Sequence, residues 1–113
     1  MDIATSGLAQ LMSLPDWRGR LADRRAMVRS VVELVLERGE GQLEGTLEEV
    51  KRALVYYSLS DRDRSIVRTT FKDIRTLVRG WGGLSLSAQT QFRSGELAPS
   101  TLAARIRSKE VGA

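Results

Sequence analysis

A chain of 113 residues, 42% hydrophobic and 28% charged, holds one compact domain with a single core. It contains neither cysteine nor histidine, which removes disulfides, thiolate nucleophiles and thiolate zinc sites, together with the side chain best suited to proton transfer near neutral pH. Its formal charge is +4, and 15 of its 18 cations are arginine, a balance that suits an anionic partner and equally a solvated surface.

Residues 1–13 contain Ile3, Leu8 and Leu11, enough for a short amphipathic helix or an apolar arm. No basic leader or long apolar core opens the chain and no apolar run reaches membrane-span length, so a cytoplasmic protein is expected. Ser13 stands three before Asp16, with Pro15 between them, and marks the start of a helix over about 16–38. Its inward row is Leu21, Val28, Val31 and Val35, with Val32 beside it. Arg24 interrupts that row. Its stem can lie on the core with its head in water, or it can pair with a carboxylate or a partner. Arg18, Arg20, Arg24 and Arg25 lie near Trp17, a grouping found on single-strand binders and on ordinary surfaces alike. Gly39 and Gly41 supply a stop.

Thr46 and Glu49 have capping-box spacing, which predicts a second helix over 46–58 with Leu47, Val50, Leu54 and Tyr57 inward. Val55 and Leu59 fall off that face. With Ile3, Leu8 and Leu11 they form a surplus of apolar positions, pointing to a protein partner or a second subunit. Ser60, with Asp61 and Asp63 behind it, caps a third helix over 61–80. Val67, Phe71, Ile74, Val78 and Trp81 make its apolar stripe. At about 100° per residue, Arg68, Lys72, Arg75 and Arg79 fall within roughly 80° of Arg64, beside that stripe. This row is a candidate contact for an anionic partner or nucleic acid. Asp61 lies on the same arc, and the helix dipole alone accounts for cations in the last turns.

Residues 84–92 alternate apolar and polar, as a strand does, but no second strand is available to pair with it. A short helix capped by Ser87 and ending at Gly95 is expected instead, carrying Ala88 and Phe92. A last helix begins near Ser100 with Leu102 and Ile106 inward. Two helices around Gly95, the second bearing Arg105, Arg107 and Lys109, have the outline of a helix-turn-helix. Gln91, where a small residue is normal, and Pro99, which lengthens the turn, depart from it.

The charge is segregated: residues 33–49 sum to −5 and residues 50–113 to +7. Opposite blocks invite pairing within the chain or between subunits. No nucleophile elbow or phosphate-binding loop is present, and Gly80-Trp81-Gly82-Gly83 is not followed by the lysine and hydroxyl such a loop uses. The expectation is an all-α protein: a small bundle of three principal helices with a short N-terminal helix and a helical segment over 84–113. It should act without catalysis, cofactor, metal or small-molecule substrate. The expected role is a regulator of inhibitor, antiactivator or adaptor type that binds a protein partner, as a homodimer. The alternative is a nucleic-acid-binding regulator using the basic row or the C-terminal arginines.

Overall fold

The computed structural model describes residues 21–112, with side chains over 24–109. It is all-α, with five helices among those residues: α1 (Leu21–Arg38), α2 (Leu43–Leu54), α3 (Asp61–Gly80), α4 (Leu86–Ser94) and α5 (Pro99–Gly112). The expected C-terminal segment is thus two helices and no strand. Ile3, Leu8, Leu11, the Ser13 cap, Trp17 and residues 16–20 of the first helix lie outside the described residues. No helix among the described residues is long and apolar enough to cross a membrane.

Helix α3 is the longest of the five and packs against α1, α2 and α5. Its start follows from Ser60, whose hydroxyl accepts from the amide of Asp63 at 3.2 Å. Along its inner side Val67, Thr70, Phe71, Ile74, Leu77 and Val78 are buried, and Trp81 packs partly buried against the same core. From α1 come Met27, Val28, Val31, Val32 and Val35, all buried. Of the expected inward row Val28, Val31 and Val35 are present with Val32 beside them, Met27 joins them, and the Leu21 side chain lies outside the described residues. Arg24 is half-buried and lines a cleft of about 290 Å³ with Ser65, Thr69 and Ser100. Each fully buried side chain of this kind stabilises the fold by about 1.5–3 kcal/mol, which makes the core the main favourable contribution.

Three boundaries differ from expectation. The Thr46–Glu49 capping box does not form. Gly39, at φ 104°, ends α1, and a 3-10 turn over Glu40–Gln42 leads directly into α2 at Leu43. Thr46 therefore lies inside the helix, 1% exposed, where its hydroxyl accepts from Arg38 Nη1 at 3.0 Å. Glu49 accepts from the same nitrogen at 2.5 Å, so both expected capping groups serve the α1–α2 seam. Helix α4 is capped by Ser85 rather than Ser87, its hydroxyl accepting from the amide of Ala88 at 3.1 Å. Pro99, not Ser100, opens α5, occupying a first-turn position where its missing N–H costs nothing.

The α3–α5 contact is close. A β-carbon on Gly80 would stand 2.8 Å from Ile106 Cγ2, so only glycine lets the end of α3 approach α5 this nearly. Leu102, Ala103 and Ile106 of α5 are buried against that side.

One ion pair ties each of four helix pairs. Arg38–Glu49 joins α1 to α2, Glu44–Arg75 joins α2 to α3, Asp73–Arg107 joins α3 to α5, and Glu33–Arg93 joins α1 to α4. Two of them, Glu44–Arg75 and Glu33–Arg93, pair the acidic block with the basic one within the chain. Glu44 accepts from Arg75 Nε at 2.9 Å and Nη2 at 2.9 Å. Those hydrogen bonds hold its carboxyl below the ordinary value near 4.5, outweighing the opposing desolvation, and the charges of Arg75, Arg79 and Lys51 add to the effect. A carboxylate with a lowered folded-state pKa contributes stability that is present above its unfolded value and lost as pH falls through the folded one. Glu44→Gln is accordingly expected to be less stable than wild type at pH 7, with the gap closing as pH drops below the ordinary carboxylate range. Urea unfolding of both proteins across pH 3–7 checks this. A gap independent of pH would show that the pair does not contribute.

Candidate functional site

The expected second helix does not continue to residue 58. It stops at Leu54, and Val55 takes the left-handed conformation with φ 51° and ψ 52°. It is the one non-glycine residue at positive φ among those described. A β-branched residue pays for that conformation by about 1–2 kcal/mol, and glycine is the usual occupant of this position after a helix. Local hydrogen bonds surround the turn. The Val55 amide donates to Arg52 O at 3.1 Å, and its carbonyl accepts from Ser58 N at 2.9 Å. A 3-10 turn over Tyr56–Ser58 then leads to Ser60.

The left-handed residue rotates everything after it, which exchanges the two tyrosines. Tyr56 is buried and Tyr57 is 79% exposed, so the expected inward position of Tyr57 is corrected. Tyr56 anchors the turn: its hydroxyl accepts from Arg68 Nη1 at 3.1 Å, and the Lys51 ammonium sits 5.3 Å from its ring centroid. Tyr57 meets Tyr56 edge to face, with centroids 5.2 Å apart. Its carbonyl accepts from Arg64 Nη1 at 3.4 Å, and Arg64 also pairs with Asp61.

The result is a corner between α2 and α3 where Val55, 61% exposed, and Tyr57 project into solvent, with Lys51, Arg52, Arg64 and Arg68 on the adjoining elements. A tyrosine so fixed offers a large amphipathic contact and loses little entropy on binding; tyrosine and arginine are the residue types that dominate interface energetics. Two sets of candidate residues thus meet here, Val55 from the apolar set and Arg64 and Arg68 from the cationic one. Leu59 is placed differently. It is partly buried and packs on the chain's own core.

The remaining cations divide. Arg75 is bound to Glu44, and Arg107 donates to Asp73 and Thr76 at 3.0 Å each. Lys72, Arg79 and Arg105 are exposed, and their side chains form no ion pair or hydrogen bond among the described residues. The α3 row is therefore not a continuous free strip, because Arg64, Arg68 and Arg75 are engaged by groups of this chain. The helix-turn-helix outline is likewise altered: Arg107 faces α3, leaving Arg105 and Lys109 on the outer side of α5. Among the described residues no group of three or more acidic side chains converges as a metal site would require.

Tyr56, Tyr57, Lys51 and Arg52 are the site residues that periodicity misses. The signal for the tyrosines is the five-residue span between Leu54 and Ser60, in which two adjacent tyrosines cannot both face inward; Lys51 and Arg52 lie in the last turn of α2 before it. Against models of protein families, curated proteins and solved structures, the chain shows no match.

Proposed function

We propose that this chain is a small non-catalytic regulatory protein that acts by binding a protein partner through the Val55–Tyr57 corner. The observation that supports the reading is Tyr57 and Val55 exposed together on a left-handed turn, flanked by cations. Backbone strain kept at an exposed apolar position is the arrangement expected where a protein meets a partner. The partner surface carries an apolar pocket for Tyr57 and a carboxylate for Arg52, so that charge sets orientation and tyrosine burial supplies affinity. Arg52 is the cation of the corner whose side chain is not engaged among the described residues, as Lys51 is by Glu48, Arg64 by Asp61 and Arg68 by Tyr56. Inhibition, sequestration and adaptor action all use such a contact.

Co-purification from source lysate tests this, using wild type and Tyr57→Ala at low and moderate salt. A partner retained by wild type and held at least fivefold less well by the variant is expected, that loss corresponding to about 1 kcal/mol, the margin that separates a contributing contact from a bystander. Equal retention by both proteins would end the proposal. A second reading rests on Lys72 and Arg79, exposed and unbonded on α3. It calls for a shift of duplex or single-stranded nucleic acid at low salt that glutamine at both positions removes.

A further inference from the structure

A groove of about 430 Å³ lies between the start of α4 and the outer side of α5, well away in sequence from the α2–α3 corner. Its apolar lining is Leu84, Ala88, Leu102 and Ile106, and Arg105 and Lys109 also line it. Both cations are exposed and have no hydrogen bond or ion pair among the described residues. Among the described residues no carboxylate lines the groove. That contrasts with the four helix seams described above, each of which carries an arginine paired with an acid of the chain.

We propose that this groove binds an amphipathic helical segment of a different protein, one carrying two carboxylates a single turn apart beside its apolar side chains. The charge spacing supplies the register. Arg105 and Lys109 are four residues apart on one helix, hence about 6 Å along its axis, and carboxylates at i and i+4 of a docked helix have the same spacing. The apolar lining supplies a reason for a helix face rather than a bare phosphate chain, since phosphate recognition uses cations without needing Leu84, Ala88 and Ile106. A second copy of this chain fits poorly. The helical acid pairs at i, i+4 among the described residues are Glu33–Glu37 and Glu44–Glu48. In the first, Glu33 is already bound by Arg93; in the second, Glu44 is bound by Arg75 and Glu48 by Lys51.

The test is selection of a library of helical peptides with randomised faces on the full-length chain, followed by binding of the enriched peptides measured by fluorescence anisotropy. Enriched peptides are expected to carry acids at i and i+4 next to leucine or similar residues, and to lose at least tenfold in affinity toward an Arg105→Glu, Lys109→Glu double variant. Replacing the two acids with lysine should restore binding to that variant. Circular dichroism confirms that the variant is folded, and both substituted positions are exposed. Tyr57→Ala should leave peptide affinity unchanged, which separates failure here from failure at the α2–α3 corner. Enrichment without acids, no enrichment at all, or equal affinity for wild type and the double variant would overturn the proposal. So would full displacement by duplex DNA combined with indifference to the peptide's apolar residues, which would identify a nucleic-acid surface instead.

Discussion

Phe92→Ala is expected to lower the unfolding free energy by about 3–5 kcal/mol, a large part of the roughly 5–15 kcal/mol that holds a domain folded. Phe92 is fully buried and is the buried residue of α4. A nine-residue helix does not persist in water by itself, so α4 depends for its attachment chiefly on this ring, with Ala88 packed partly buried beside it. The ring packs edge to face on Trp81 with centroids 5.5 Å apart. Arg93 then lies 5.1 Å from the other aromatic, over Trp81, while pairing with Glu33 of α1. Removing the phenyl group leaves Trp81 without its edge-to-face partner and loosens the ring over which Arg93 lies. Urea unfolding followed by circular dichroism should show a lower midpoint and an early loss of helical signal. Phe92→Leu, which keeps most of the volume, should lose markedly less. A loss below about 1 kcal/mol for Phe92→Ala would mean that α4 is held by its polar contacts.

Val55→Gly should move stability and binding in opposite directions. Glycine removes the left-handed penalty of about 1–2 kcal/mol but costs roughly 0.5–1 kcal/mol through the added freedom of the unfolded chain, for a net gain of about 0–1.5 kcal/mol. A gain of about 1 kcal/mol corresponds to a rise of roughly 4 °C in melting temperature for a domain of this size. The side chain lost is 61% exposed, so little packing is forfeited. Under the proposed function the same change removes an apolar contact and frees the turn that presents Tyr57, and partner affinity should fall. Calorimetry together with the co-purification assay checks both halves. A destabilised variant would show that Val55 is not strained. A stabilised one with full partner retention would show that the strain serves something other than this contact.

The third helix is legible from its residues because three local signals agree: a serine cap, acids in the first turn and a 3.6-residue apolar period. The valine row of α1 and its glycine stop are legible for the same reason. The second helix is less so. Its capping-box spacing is genuine, but Arg38 arrives from α1 to bind Thr46 and Glu49, and tertiary contact overrides the local pattern. Tyr57 is misplaced because nothing in a valine announces a left-handed conformation, which is read from glycine or asparagine. Position along a helix also tells which cations share a face without telling which are occupied. Arg75 and Glu44 are 31 residues apart, and only the docking of α2 on α3 reveals that the row is interrupted there. The groove beside α5 depends similarly on how α4 docks.

Ile106 touches Gly80 on one side and lines the α4–α5 groove on the other. A methyl group at position 80 would push that isoleucine outward and make the groove shallower, whereas a shorter residue at 106 would deepen it. Under the proposal, guest size is therefore set partly from behind, by position 80, which no guest need touch, acting through Ile106, while the cations that choose its charge stay as they are. Descendants of this chain can change what they accommodate by exchanging bulk between residues 80 and 106.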